Sequence, residues 1–478
     1  MANIEPITHE NITVEGFPFH KILNLKIAHT VNEYASCLVV GEMEADTAAE
    51  ILKRTDETTR VDVVTSAPGQ PQKLFCGVVA DVYTEAETQY VVLTLKLYDM
   101  CSRLDIQKRN RTYQNTAKTY GQIIEDCLAG SGNSSVTATD EPIGELIMQY
   151  GETNWEFVKR MASHLSVPIV TDITAAKPNF FVGMPPSEQA KDLSSISYQY
   201  GKDADQYSRM DSNGQLPATA IGEDFSTPNV LSYSYSFVGH RVQFNGTAFL
   251  IQSIHTELVD GLLTMTYSIL RCGGSGGSGS TPAGFTVPKI QNIQIGGKML
   301  TGQVKSVAGD KVKVHLDIDS EYDSGGTWEF PYSTAYSSQD GSGWYCMPEE
   351  NDIVRVFFPS NNAGEAFAAS SVCTTPPTNY KDKCWITPNG KKIVLSPGGI
   401  FISCNDQDMY IDLTDEKGIV IHSGVDITVT AGKNLNVFAE QGSIVLRAEN
   451  SISLGTDSAF IDMTDGYITL AGKQVIVD

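Results

Sequence analysis

The C-terminal ninety or so residues repeat a short pattern that few folds can satisfy. Apolar–x–apolar pairs recur at Ile419/Ile421, Ile427/Val429, Leu435/Val437, Ile444/Leu446, Ile452/Leu454, Ile468/Leu470 and Val475/Val477. A slip of one residue after Phe460 adds Ile461/Met463, and the mean spacing is about eight residues. Between the pairs stand polar residues and glycines, among them Gly418, Gly424, Gly432, Gly442, Gly455, Gly466 and Gly472. Period-two alternation puts both members of a pair on one face of a strand, so each repeat is one short strand and one turn. Two inward side chains per repeat are too few to bury a core alone. Stacked along one chain they leave an apolar face and long open edges. Three copies wound about a common axis cover those faces and pair those edges between chains.

The pattern therefore predicts a trimeric intertwined β-helix or β-prism needle over residues 376–478. Its core and trimer contacts would come from Ile419, Ile421, Ile427, Val429, Leu435, Val437, Ile444, Leu446, Ile452, Leu454, Ile468 and Leu470. On the order of eleven layers at about 4.8 Å each would give a rod roughly 50 Å long. A single-chain solenoid would want more apolar side chains per coil. The last strand, Val475, Ile476, Val477 and Asp478, is expected to present open edges at the tip, a surface that takes a cap.

A chain of 478 residues exceeds one ordinary core. Residues 1–271 read as β-barrel subdomains with two or three helices. Strand-like runs include Ile22–Ile27, Ser36–Val40, Arg60–Val64, Tyr90–Tyr98 and Leu262–Leu270. A short helix is predicted over Ala45–Leu52 with Asp46 as N-cap. A second covers about Ala117–Leu128 with Gly130 at its C-cap. A third starts at Thr153, where Glu156 completes a capping box, and Pro168 bars its continuation. Residues 272–284, containing the run Cys272-Gly-Gly-Ser-Gly-Gly-Ser-Gly-Ser280, read as a linker. Residues 285–375 hold several short alternating strands, such as Lys311–Ile318 and Asp352–Phe358, and are expected to close into a small barrel of the oligonucleotide/oligosaccharide-binding (OB) type. The expected class is thus mainly β with a few helices.

Composition removes several functions. A net charge of −23 opposes phosphate binding, so no nucleic-acid binding is expected. The first residues, Met1–Glu10, have no basic stretch followed by an apolar one, so no signal peptide is read and assembly is expected in the cytoplasm. No run is long enough for a membrane helix. The nine cysteines form no C-x-x-C pair and read as free thiols. The eight histidines show neither H-E-x-x-H nor H-x-H spacing, so neither metal nor cofactor is expected. His164 reads as a packing or surface histidine, and His422 as a surface or turn residue. Glu152 and Glu156 resemble an acid/base pair. Glu156 is better explained by the capping box, and Glu152 by a solvated helix entry. No catalytic constellation stands out, so the chain is not expected to be an enzyme.

Two segments resemble the hub domain of VgrG (valine-glycine repeat) spike proteins. One runs from Tyr98-Asp-Met-Cys-Ser-Arg-Leu-Asp-Ile-Gln107 through Arg111-Thr-Tyr-Gln-Asn115 to Thr119-Tyr-Gly-Gln-Ile-Ile124. The other is Met148-Gln-Tyr-Gly-Glu-Thr-Asn-Trp-Glu-Phe-Val-Lys-Arg160, similar to that family's aromatic–x–Glu–Thr/Ser stretch leading into Phe-Val-x-Arg. Val167-Pro-Ile-Val170 departs from the usual glycine–aromatic continuation, as in a distant branch. The order of hub, small barrel and repeat also matches. The resemblance implies a homotrimer that caps the inner tube on a baseplate and carries a PAAR-repeat protein on its tip. Effectors are further partners it implies. Contraction would eject the assembly through a target envelope into the extracellular space or a target cell. Type VI secretion leads this reading. A phage tail or tail-like bacteriocin hub is the alternative, followed by an envelope-degrading enzyme or a glycan-binding fibre.

Overall fold

Strands from both ends of the first 271 residues interleave in one large sheet. The computed structural model describes residues 5–478 apart from 87–89, 187–189, 215, 217–219, 273–282, 406–407, 465, 475 and 477–478. The sheet runs Ile12–Val14, Arg60–Thr65, Lys73–Ala86, Val91–Asp99, Ser36–Met43 and Lys21–Thr30, then crosses to Thr247–Val259, Leu262–Arg271, Ser226–Ser232 and Ser197–Lys202. The crossing is antiparallel, with Thr30 opposite Ser253 and Lys26 opposite Glu257. Alternation sends Cys37, Val39 and Met43 inward along one strand, where they meet Leu25, Ile27, Phe75 and Ile251. Helix α1 (Ala45–Arg54) packs Ala48 and Ile51 against this core. Its N-cap is Glu44 with no side-chain cap, so Asp46 lies inside the first turn and not at the cap.

A second layer holds helices α2 (Tyr120–Leu128) and α3 (Asn154–His164). Thr119 caps α2 through a box with Gln122, so the helix begins three residues later than its apolar pattern suggests. It ends at Ala129, which takes a left-handed backbone (φ 46°), one residue before Gly130. Thr153 and Glu156 form the box at α3: Thr153 N–H donates to Glu156 Oε2 at 2.8 Å, and Glu156 N–H donates to Thr153 Oγ1 at 3.1 Å. Such a cap stabilises by about 1 kcal/mol. Ile123, Ile124, Trp155, Phe157, Val158 and Met161 bury together against Phe180 and Val182 of a three-stranded sheet. Helix α4 (Ala204–Ser212), capped by Asp203, has no counterpart in the sequence reading, because only Met210 is buried on it.

Strands Lys298–Ala308, Lys311–Leu316, Glu329–Ser333, Ile353–Phe358 and Phe367–Ser371 close a five-stranded barrel. The third and fifth strands pair in parallel and the rest antiparallel, which is the OB arrangement. Gly302 is required where the first strand is crowded: a Cβ there would lie 2.5 Å from Val314 Cγ1 and 2.6 Å from the His315 carbonyl oxygen. The barrel core is Val304, Val314, Phe330, Val356 and Phe358, completed by Leu146 and Met148 from the hub. Contacts divide the chain into residues Met1–Val372 and Cys373–Asp478. Of the glycine-rich stretch, 273–282 lie outside the described residues. Immediately beyond it, Phe285 buries against Leu250 and Leu270 of the large sheet.

Candidate functional site

In the C-terminal unit, Lys383–Ile386, Lys392–Ser396, Gly399–Asn405, Met409–Thr414 and Gly418–Ser423 form an antiparallel meander. Its register aligns Trp385, Ile393, Ile402, Ile411 and Ile421 in one cross-strand row. Leu395, Ile400, Leu413 and Ile419 make a second row on the same face. A face this apolar is the kind a sheet ordinarily buries. In one chain it stays open: Ile419 is 69% and Ile421 61% exposed. The opposite face carries Phe401, Tyr410 and His422, with the Tyr410 and His422 rings stacked at 5.1 Å. His422 therefore points away from the face that Ile419 and Ile421 share.

A second meander, Ser451–Thr456, Ala459–Thr464 and Tyr467–Ala471, repeats the design. Ile452, Met463 and Ile468 form one row, and Leu454, Ile461 and Leu470 the other. The slip after Phe460 is real in register, since Phe460 falls on the far face opposite Gly455. Ile427, Val429, Leu435, Val437, Ile444 and Leu446 differ from the expected short strands. They form no ladder within the chain, and all six are exposed. A strand needs a neighbouring backbone, and one chain does not bring one to this stretch. Ile476 is exposed. The other tip residues, Val475, Val477 and Asp478, lie outside the described residues.

The sequence reading missed Trp385, Ile393, Leu395, Ile400, Ile402, Ile411 and Leu413, which belong to the same apolar face. The signal was present, because Ile393/Leu395, Ile400/Ile402 and Ile411/Leu413 follow the same apolar–x–apolar rule.

In the hub, the second family-like segment is a joint. Glu152 is not a solvated helix entry but a buried carboxylate gripped by Arg160. Arg160 Nε and NH2 each donate to it at 2.8 Å, and NH2 also reaches the Met148 carbonyl oxygen at 2.8 Å. The motif's Glu and Arg thus tie the strand Ile147–Thr153 to α3. Spacing alone did not reveal that the pair is dry. His164 lies between the Tyr120 hydroxyl at 3.3 Å and the Ile290 carbonyl oxygen at 3.2 Å, and burial with nearby Lys289 and Arg160 lowers its pKa to about 4. It is a packing group.

Deeper, Asp99 accepts from Ala35 N–H (2.7 Å), Cys101 N–H (2.8 Å) and the Thr171 hydroxyl (2.8 Å). Thr171 Oγ1 also lies 3.0 Å from His29 Nε2. With that hydroxyl donating to Asp99, Nε2 must donate to Oγ1, leaving a neutral ring whose Nδ1 has no partner. Among the described residues no three His, Cys, Asp or Glu side chains gather as a metal site, and no helix is long and apolar enough to cross a membrane.

Residues 48–165 match the phage tail baseplate hub (GPD) family. No curated protein matches the sequence. Among solved structures, the chain resembles the E. coli c3393 protein, a type VI secretion component with structural similarity to T4 bacteriophage tail proteins gp27 and gp5. The TM-score is 0.52 at 15% identity, over 76% of this chain and 99% of that one. A lidless PdpA–VgrG complex gives 0.50 at 9% identity, over 84% and 93%. The half-lidded Francisella PdpA–VgrG complex gives 0.49 at 8%, over 86% and 87%. The fold is that of a baseplate hub joined to an OB-type barrel. Within that class the fold is similar to that of the type VI component and of the lidless VgrG complex described above.

Proposed function

We propose that this protein is the trimeric hub-and-spike of a contractile injection machine of the type VI kind. Its hub, residues 1–271, caps the inner tube on the baseplate. The barrel, 285–375, joins the hub to a needle, 376–478, that is driven through a target envelope. The observation that carries this reading is the apolar face of the C-terminal unit, continuous across five strands and uncovered in one chain. Copies of the same segment are the natural cover, since each has an identical face to hide. A closed β-rod is stiff because its ladders must break together, and stiffness is what piercing requires. A PAAR-type protein on the tip residues and effectors as cargo follow from the same reading. So do assembly in the cytoplasm and ejection on contraction. The role is mechanical, without catalysis by this chain.

Light scattering on the purified protein tests it directly. A mass near three times the 51.9 kDa chain, persisting in mild SDS without boiling, is the expected result. A stable monomer would remove the physical basis for the spike. The match of residues 48–165 to a phage tail hub family favours a phage tail or tail-like bacteriocin as the second reading. Which tube protein the hub captures separates the two.

A further inference from the structure

The connection between the barrel strands Glu329–Ser333 and Ile353–Phe358 begins as a braced hairpin. Ser337 bridges Gly343 in antiparallel register, Trp344 N–H donates to the Tyr336 carbonyl oxygen at 2.8 Å, and Ser338 N–H donates to the Ser342 carbonyl oxygen at 2.8 Å. A Cβ at Gly343 would lie 2.6 Å from the Tyr336 carbonyl oxygen, so glycine is what lets the two arms close this tightly. The register sets Tyr336 opposite Trp344, and side chains directly opposite share a face. At the base, the Tyr345 hydroxyl donates to the Gly309 carbonyl oxygen at 2.8 Å, pinning the hairpin to the turn after the first barrel strand.

Tyr336, Trp344 and Tyr345 are 56%, 54% and 70% exposed. The barrel core does not use them: from this connection it takes only Met347. Tyrosine and tryptophan rings held in place bury a large area with little side-chain freedom to lose, which is why interfaces concentrate their energy on them.

The charges specify the partner. Residues 334–352 carry Asp340, Glu349, Glu350 and Asp352, all exposed, and no Lys, Arg or His. Asp340 stands at the hairpin tip, its carboxylate accepting from Ser342 N–H at 2.9 Å and from the Ser342 hydroxyl at 2.7 Å. Such a surface repels phosphate, nucleic acid and acidic glycans. A cation is favoured twice, by the carboxylates and by the ring faces. A guanidinium suits both better than an ammonium, because it is planar, stacks on rings and forks onto a carboxylate. From the aromatic pair to Asp340 the arm spans about 13 Å, the length of about four extended residues.

We propose that this hairpin is a docking platform for an extended, arginine-bearing segment of a partner protein. Its guanidinium groups stack on Tyr336 and Trp344 and meet Asp340 at the tip. The site goes beyond the mechanical role and does not depend on how many copies assemble.

Fluorescence anisotropy with the full-length protein and a fluorescein-labelled peptide of Gly-Arg repeats tests the platform. The peptide should bind saturably, and added salt should weaken it. Tyr336→Ala combined with Trp344→Ala removes the rings and keeps every charge. It should weaken binding about tenfold while the melting temperature stays that of the parent. Asp340→Asn should weaken binding about threefold. Undiminished binding by the double variant would mean diffuse attraction to an acidic chain and would overturn the proposal. So would a parent protein that fails to bind the peptide, or one that instead binds a neutral N-acetylglucosamine oligomer through the same rings. Light scattering on the same samples separates the remaining occupant. An unchanged mass is expected, whereas a mass that falls in the double variant would put another copy of this chain on the hairpin and overturn the proposal.

Discussion

Glu152 and Arg160 illustrate how one buried pair can hold a joint. Both charges have left water, so their attraction mainly offsets desolvation, and the pair adds little net stability. Removing one partner is another matter. Glu152→Ala should cost about 3–5 kcal/mol by stranding the guanidinium, read by urea unfolding through Trp155 fluorescence. Replacing both with apolar residues, Glu152→Leu with Arg160→Met, should cost far less. The Asp99–Thr171–His29 chain gives a pH signature. Burial raises the Asp99 pKa to about 6, so below that pH the native state holds a proton that the unfolded chain releases until about 4. Asp99 therefore makes stability fall as pH rises through this window. Burial lowers the His29 pKa to about 3, so acidification below 6.5 protonates only the unfolded chain and lowers stability. The two slopes oppose. Asp99→Asn leaves the histidine slope alone, so acidifying from pH 6 to 4 should destabilise this variant more than the parent. The gap should grow by up to about 1.4 kcal/mol per pH unit, measured by urea unfolding at each pH.

At the scale of elements, local chemistry made the helix starts legible. Thr153 with Glu156 is written as a capping box and forms one. Thr119 with Gln122 is an equally good box that periodicity alone passed over. Helix α4 stayed invisible because it is polar on nearly every face and is anchored by Met210 against Phe225. The barrel strands were legible from alternation, but their setting was not. Thr112 N–H and hydroxyl both donate to Asp319, Gln114 Nε2 donates to the Val314 carbonyl oxygen at 3.1 Å, and Asn292 Nδ2 reaches the Tyr150 carbonyl oxygen at 2.9 Å. With Leu146 and Met148 inside its core, the barrel is completed by the hub. Met148→Ala should therefore destabilise the barrel by about 2–5 kcal/mol, seen as an earlier melt of signals from Trp328.

For the whole molecule, the expected behaviour is set by the C-terminal face. In the proposed trimer, Val429→Asp or Leu446→Asp would place three like charges near a common axis, where burial makes them costly. Each should abolish the trimer by light scattering while the hub keeps its native circular dichroism. An unchanged trimer would mean that these side chains face outward.

Local residue order carries the periodicities: period two in the strands, 3.6 in the helices, and the eight-residue repeat near the C-terminus. These are local properties, written in neighbouring residues and their backbone preferences. Which edges meet is a property of the folded chain: Lys21–Thr30 pairs with Thr247–Val259, Glu152 is dry and held by Arg160, and hub residues finish the barrel. Those facts depend on segments far apart in the chain, and burial is a property of where they meet.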